Sequence, residues 1–138
     1  MLRATVAKKY LAGNLAQDAM YFVQYVDSHY LPLNGKHQYY LDLVDPIPAK
    51  GFWSLTAYNQ DHYFDENIIG KYSVGTGTDG LVLNAKGGTK ILLSHTPPNS
   101  TLDYPNWLPT PSKTFTLILR AYWPQIPFTY KIPSLVRV

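Results

Sequence analysis

Proline constrains this chain more than any other residue type. Eleven of the 138 residues are proline. Proline is disfavoured in helix interiors and in central strands, so long-helix bundles and coiled coils are poor candidates. Residues 96–112 alone hold five prolines, and we expect an ordered but irregular connection there. The distribution favours a fold of short strands joined by turns.

From residue 20 onward the apolar side chains recur at every second position. In residues 51–58, for example, Trp53, Leu55 and Ala57 share one side, as in a strand with one buried face. The same pattern and its breaks predict seven strands, at residues 20–26, 36–43, 51–58, 71–74, 81–84, 89–95 and 114–122.

The segment before these strands has a different period. Its apolar residues recur every three or four positions, which is typical of one helical face: Ala4, Ala7, Leu11 and Leu15. We therefore predict a mainly β protein, an antiparallel jelly-roll-like β-sandwich with one N-terminal helix over residues 3–18. A chain of this length can bury one substantial core, and we expect a single domain over residues 1–138.

Charge is sparse and mildly basic. The 12 Lys and Arg residues exceed the 9 Asp and Glu residues, which leaves a formal net charge of +3. Lys8 and Lys9 are the only adjacent basic pair, whereas a nucleic-acid-binding surface usually has a basic stripe or patch. We therefore expect no nucleic-acid partner. No run of about 18 apolar residues occurs, so we expect no transmembrane segment either.

The chain contains no cysteine, which excludes disulfides, thiol nucleophiles and cysteine-based metal sites. Residues 1–10 contain no apolar stretch of about 7–15 residues, the length that a secretory signal requires. We therefore expect a cytoplasmic protein, unless a leader was removed.

One segment matches the glycine pattern of dinucleotide-binding loops, namely GTGTDG at residues 75–80. That motif works only between a strand and a helix, because the helix N-terminus binds the pyrophosphate. Here a predicted strand follows at residues 81–84. We interpret the match as a glycine-rich turn and predict no cofactor.

The densest cluster of acid, base and metal-ligand groups lies in a polar loop and consists of Asp61, His62, Asp65 and Glu66. No GxSxG or SxxK motif supports a nucleophilic serine, and no His pair has the spacing of a metal site. We interpret the loop as a hydrated surface and predict no metal. A small hydrolase-like enzyme using Asp61, His62 and Asp65 is the alternative, so whether the chain is an enzyme stays open.

Arg120 is the most informative charge, because it lies within the apolar strand 114–122. An unpaired buried guanidinium is costly, so Arg120 either has a structural partner, which we favour, or offers its fork to an anionic ligand.

Trp107 lies between Pro105 and Pro109, and rigid aromatic rings bind flat ligands at low entropic cost. The predicted ligand-binding residues are Trp53, Tyr58, Asn106, Trp107 and Arg120.

We accordingly predict a non-catalytic module that binds a small molecule, such as a carbohydrate or another flat ligand in an aromatic groove, or a protein partner. A structural or assembly subunit that forms a homo-oligomer is a further alternative, because sandwiches associate through their edge strands.

Four motifs occur in a characteristic order: LNG at residues 33–35, FWSLTAY at 52–58, NWLPTP at 106–111 and FTLILRAYWP at 115–124. Together they resemble the family called domain of unknown function 1214, with similarity from about Arg3 to Val138. The resemblance implies a jelly-roll-like sandwich preceded by a helix. It carries no catalytic residues over to this chain.

Many members of that family are the C-terminal half of a two-part protein, behind a domain of unknown function 1254. The resemblance therefore implies that this chain is a stand-alone member or one half of a longer protein. The tail departs from the family's pattern, because residues 128–133 lack the tryptophan of its usual Gly-x-Trp-x-Pro-Pro-like segment. A site that the tail or the partner domain completes would be affected.

Overall fold

The computed structural model describes residues 7–9, 19–67, 69–125 and 128–138. In this part of the chain the protein is mainly β, with two sheets and one short 3-10 helix. The strands are β1 (Ala7–Lys9), β2 (Ala19–Gln24), β3 (Tyr39–Leu43), β4 (Ala49–Tyr58), β5 (Ser73–Gly75), β6 (Thr89–Ser94), β7 (Trp107–Pro109), β8 (Thr116–Pro124) and β9 (Val136–Arg137). The 3-10 helix, Thr101–Asn106, leads directly into β7.

The larger sheet has five strands in the order β1-β2-β8-β4-β5, all antiparallel. The smaller sheet has four strands in the order β7-β6-β3-β9. Strands β6 and β7 pair in parallel, so the prediction of an entirely antiparallel fold is wrong at this edge. Strand β7 runs in the same direction as β6 because the proline-rich connection between them carries the chain back beside the middle of β6 before β7 begins.

The core lies between the two sheets. Alternate residues of β2, β4 and β8 point inward from the five-stranded sheet, and those of β3 and β6 meet them from the other side. Leu55 and Leu119 from the larger sheet and Leu41 and Ile91 from the smaller one belong to the same buried cluster. Two facing sheets with a shared apolar core are consistent with the predicted β-sandwich.

The C-terminal strand is held by an ion pair as well as by its sheet. Arg137 in β9 places one guanidinium nitrogen 3.2 Å from the carboxylate of Asp27, which is completely buried. The other carboxylate oxygen of Asp27 accepts the backbone N–H groups of His29 and Leu31. The pair therefore joins the loop after β2 to the end of the chain.

Three details of the predicted elements need correction. Residues 7–9 form strand β1 and pair with β2, where a helix was predicted; the rest of residues 3–18 lies outside the described residues. Residues 81–84 are not a strand, because the side-chain amide of Asn106 binds both the N–H and the C=O of Val82. Strands β7 and β9 were not predicted, because each is shorter than a recognisable alternating pattern.

Strand β4 contains a bulge before its central part. The register with β8 shifts between Ala49 and Phe52, and Trp123 opposite adopts a positive φ of 54°. Such a conformation is costly for a bulky residue. The Trp123 side chain is consequently turned outward, where 61% of it is exposed.

Candidate functional site

The predicted binding residues Trp53 and Tyr58 belong to one strand but to opposite faces of it. They are five positions apart in β4, and successive side chains of a strand point to opposite sides. Trp53 faces the core and is 7% exposed. Tyr58 faces outward, together with Arg120 of the neighbouring strand β8. The five predicted residues therefore do not line a single groove.

Arg120 lies on the outer face of the larger sheet, in its central strand. Its register partners are Tyr21 in β2 and Ser54 in β4. One guanidinium nitrogen donates to the phenol oxygen of Tyr58 at 2.6 Å, and another donates to the hydroxyl oxygen of Thr56 at 3.3 Å. The guanidinium carbon lies 5.4 Å and 5.6 Å from the ring centres of Tyr21 and Tyr58.

Further aromatic rings surround this arginine. Phe52 stacks on Tyr122 with 4.3 Å between ring centres, and Tyr122 meets Tyr21 edge to face at 6.4 Å. On the other side, the loop after β4 brings Phe64 between two tyrosines. The ring centre of Phe64 lies 5.3 Å from that of Tyr58 and 4.8 Å from that of Tyr72. We call this surface the aromatic face, and it consists of Arg120 with Tyr21, Phe52, Tyr58, Phe64, Tyr72 and Tyr122.

No carboxylate of the described residues lies within ion-pair distance of Arg120. A guanidinium has five N–H donors, and the hydrogen bonds to Thr56 and Tyr58 use two of them. The hydrogen bond with Tyr21, followed by burial, raises the pKa of the Tyr122 phenol, although the charge of Arg120 acts in the opposite direction. Tyr122 is therefore neutral at physiological pH and leaves the positive charge of Arg120 uncompensated.

Asn106 and Trp107, the other two predicted binding residues, hold loops together. The Asn106 amide joins residue Val82 to the carbonyl of Lys90. The Trp107 indole N–H donates to the carbonyl of Ser94 at 3.0 Å, and the ring is almost fully buried. Asn106 borders a depression of about 550 Å³ beside Tyr40 and Leu102 on the smaller sheet.

The polar loop after β4 does not bring its acidic and basic groups into one cleft. Asp61 and Asp65 both border a depression of about 350 Å³, but His62 is not among its lining residues. The Asp65 carboxylate accepts a hydrogen bond from the Asn59 amide at 2.7 Å. His62 is exposed and has a positive φ of 66°. Across the described residues, no group of three His, Asp or Glu side chains could hold a metal ion.

The GTGTDG segment forms a turn, as its sequence context predicts. Strand β5 ends at Gly75, and no helix follows within residues 76–88. The Thr78 hydroxyl accepts the N–H of Gly75. A Cβ on Gly75 would collide with the backbone of Trp53, so this glycine permits a close approach of two strands.

Sequence reasoning missed most of the aromatic face. Tyr21, Phe52 and Tyr122 were not proposed as site residues. Alternation indicates part of the answer, because Arg120 and Tyr122 share one face of β8, and Phe52 and Tyr58 share one face of β4. What the alternation cannot show is that β8 pairs with both β2 and β4, which brings these rings around one arginine.

Comparison with known proteins points to a family and a fold. The family model described as "Protein of unknown function (DUF1214)" matches residues 18–126. None of the curated proteins matches the chain. Among the described residues, no helix has the length and hydrophobicity needed to cross a membrane.

Two crystal structures are similar to this one. The VPA0106 protein from Vibrio parahaemolyticus is 29% identical, with a TM-score of 0.78 over 89% of this chain and 31% of its own. A putative uncharacterized protein from Burkholderia cenocepacia is 18% identical, with a TM-score of 0.66 over 96% of this chain and 34% of its own. The chain thus spans about a third of the length of these solved relatives.

Proposed function

The chain belongs to the family described as protein of unknown function (DUF1214), and we propose that it is a non-catalytic module whose aromatic face binds an anionic, ring-shaped ligand. The observation that carries the proposal is the uncompensated charge of Arg120 in the middle of this face. A structural arginine is normally neutralised by a carboxylate, as Arg137 is by Asp27. Arg120 has instead two neutral hydroxyl acceptors and two tyrosine rings.

The surroundings of Arg120 suit recognition of an anion. Tyr58 and Thr56 accept hydrogen bonds from the guanidinium and so fix its orientation, which lowers the entropic cost of binding. The remaining donors can form a bidentate pair with a carboxylate, and charge-assisted bonds of this type are about twice as strong as neutral ones.

The rings around Arg120 suit a flat partner. Phe52 and Phe64 are each 48% exposed and lie on opposite sides of the arginine, stacked on Tyr122 and Tyr58 respectively. A sugar or aromatic ring can stack on such a surface through its apolar face. Acidic sugars combine a ring with a carboxylate, so we propose an oligosaccharide of uronic acids as the ligand class.

The test is a titration with trigalacturonate, followed by isothermal calorimetry and by NMR of the 15N-labelled protein. We expect saturable binding and chemical-shift changes in β2, β4 and β8. Arg120→Gln should reduce the affinity at least tenfold, because the charge-assisted pair is lost. Arg120→Lys should recover only part of it, since an ammonium has no planar fork.

Lys90→Gln is the matched control. Lys90 also lies over a tyrosine ring, Tyr40, at 4.4 Å, but on the smaller sheet. We expect its substitution to leave the affinity unchanged. Equal affinity of the wild type and Arg120→Gln, or equal binding of neutral trigalactose, would overturn the proposal.

A second candidate function is association with another protein chain, and exposed aromatic side chains favour it. Phe52, Phe64 and Trp123 are all about half exposed or more, and exposed aromatic residues are enriched in protein interfaces. Light scattering after size exclusion measures this directly. A monomer at all concentrations would exclude a homo-oligomer, and a dimer dissociated by Phe52→Ser would support it.

We also infer that the two sheets are connected as in a jelly roll. The support is that neighbouring strands such as β2 and β8, or β3 and β6, are distant in sequence. A helix within residues 3–18, apart from Ala7–Lys9, likewise stays a prediction. Backbone chemical shifts of the labelled protein would test it.

A further inference from the structure

We propose that the cavity at one end of the core, which we call the Trp53 cavity, is a second binding site, specific for a small uncharged ring compound that carries a hydrogen-bond acceptor. Its volume is about 410 Å³, within the range of ligand sites. It is independent of the aromatic face, because Trp53 and Tyr58 point to opposite sides of β4.

The walls of the cavity determine the polarity of its occupant. They come from the end of β3, the bulged start of β4 and the two glycine-rich turns on either side of residues 81–84. The apolar lining includes Leu43, Ile47, Trp53, Leu81 and Leu83. Among the described residues that line the cavity, only Asp45 is charged. It lies at the rim 4.0 Å from Lys86, with both side chains 67% exposed. An ionised ligand would lose its hydration inside without gaining a counter-charge.

Two residues that line the cavity carry donor groups with no acceptor among the described residues. The indole N–H of Trp53 and the hydroxyl of Thr89 make no hydrogen bond with any described residue, although the residues are only 7% and 2% exposed. Neither donor atom is among the buried side-chain atoms that lack a hydrogen-bond partner, and both residues line the cavity. A carbonyl oxygen of an occupant could accept from them in place of water.

The contrast with Trp107 supports this interpretation. Trp107 is also almost fully buried, yet its indole N–H donates to the carbonyl of Ser94. The Trp107 indole, which is packed in the core, therefore has an acceptor within the protein. The indole of Trp53, which lines an open cavity, has none among the described residues.

One wall of the cavity is positioned by side-chain amides. Asn106 holds Val82 by its backbone N–H and C=O, and the Asn84 amide donates to the carbonyl of Val44. Between them, Leu83 lines the Trp53 cavity while Val82 lines the depression on the other side. These hydrogen bonds hold the irregular segment in one position as a wall of the cavity. Val82 and Leu83, on its two sides, are therefore a matched pair for substitution.

The probe is prodan, an uncharged naphthyl ketone whose fluorescence shifts to the blue in apolar surroundings. We expect a blue shift that saturates with protein concentration. The 15N-labelled protein has three indole N–H signals, and the one from Trp53 should move on binding, while those of Trp107 and Trp123 should stay in place. A Trp53 signal that does not move at saturating prodan would overturn the proposal.

Two variants locate the site and distinguish it from nonspecific apolar binding. Leu83→Tyr should fill the cavity and weaken prodan binding at least tenfold, whereas Val82→Tyr should leave the affinity unchanged. Equal effects of the two substitutions would contradict the proposal. Because both residues are exposed by more than half, neither variant depends on repacking the core.

A third variant tests the acceptor. Thr89→Val removes the hydroxyl and keeps the shape, so it should weaken prodan binding about threefold to tenfold, in line with the loss of one hydrogen bond. It should not affect 2-propylnaphthalene, which has no carbonyl. An equal loss for both compounds would show that Thr89 contributes only shape and would overturn the assignment of an acceptor. Arg120→Gln should leave prodan binding unchanged, which separates this site from the proposed carboxylate site.

Discussion

Two arginines of this protein have opposite environments. Arg137 donates to Asp27, which is completely buried and also accepts two backbone N–H groups. Arg120 is partly exposed and has tyrosine and threonine partners, with no carboxylate among the described residues. The first charge is paired with a carboxylate, and the second has only neutral partners among the described residues.

The difference shows that neither residue type nor an apolar neighbourhood determines whether an arginine is paired with a carboxylate. Arg120 lies in the most apolar strand of the sequence, yet it points to the outer face. Arg137 lies in the C-terminal tail, yet it reaches a buried carboxylate. The diagnostic feature is whether the charge is neutralised, and the following predictions test that distinction.

The largest effect is expected at the neutralised pair. Asp27→Ala should lower the free energy of unfolding by about 3–5 kcal/mol, because it leaves Arg137 and two backbone N–H groups without their acceptor. Urea denaturation at pH 7 measures this loss. Asp79→Ala, which removes an exposed carboxylate, is the control and should cost less than about 0.5 kcal/mol. Equal costs for the two variants would show that the pair has no special role.

A smaller effect is expected from the ionisation of Tyr122 next to Arg120. The pKa of this phenol is raised in the folded protein, chiefly by its hydrogen bond with Tyr21. Between pH 10 and the raised pKa, the unfolded chain therefore binds fewer protons than the folded one, so the free energy of unfolding falls as the pH rises. Below pH 10 both states are protonated and Tyr122 contributes no pH dependence.

Tyr122→Phe should accordingly lose less stability than the wild type between pH 9.5 and pH 11.5. Thermal unfolding at a series of pH values measures the difference between the two slopes. Tyr130→Phe is a useful comparison, because burial raises the pKa of Tyr130 to about 12 in a segment outside the strands, where its hydroxyl donates to the carbonyl of Asp45. If Tyr122→Phe has the same slope as the wild type while Tyr130→Phe is flatter, the raised pKa of Tyr122 at the aromatic face is refuted.

The smallest effect on stability is expected at Arg120. Arg120→Gln removes two part-buried hydrogen bonds from the charged guanidinium to Thr56 and Tyr58. Because Arg120 is partly exposed, we expect a net loss of about 1–2 kcal/mol. Urea denaturation should therefore distinguish it clearly from Asp27→Ala. A loss above about 3 kcal/mol would place Arg120 with Arg137 as a structural arginine and remove the basis for the proposed ligand site.

The alternating segments were predictable because a two-residue period reflects burial of one strand face. Residues 20–26, 51–58 and 114–122 correspond to β2, β4 and β8, and the predictions of β3 and β6 agree similarly. Residues 81–84 show where prediction of strands from the apolar pattern fails. Their apolar run is typical of a strand, but the amide of Asn106 occupies the backbone groups of Val82 that a neighbouring strand would need.

The candidate site was only partly predictable. Arg120 and Tyr58 were both proposed, and the structure brings them together at 2.6 Å. Trp53 was proposed for the same groove, although its odd separation from Tyr58 places it on the other face. Tyr21 reaches Arg120 only because β2 pairs with β8 across about a hundred residues of sequence. Such pairing depends on packing between distant strands, which local alternation does not encode.

By itself, the sequence determined the class of fold and the facing of the longer strands, because proline placement and a two-residue period are local properties of the backbone. It also determined the family, through the order of its motifs. Only the tertiary structure decided which faces met. Strand order placed the charge of Arg120 among tyrosine rings without a carboxylate and left the Trp53 indole beside a cavity without an acceptor. Both results depend on the surroundings of a side chain, and distant parts of the chain supply them.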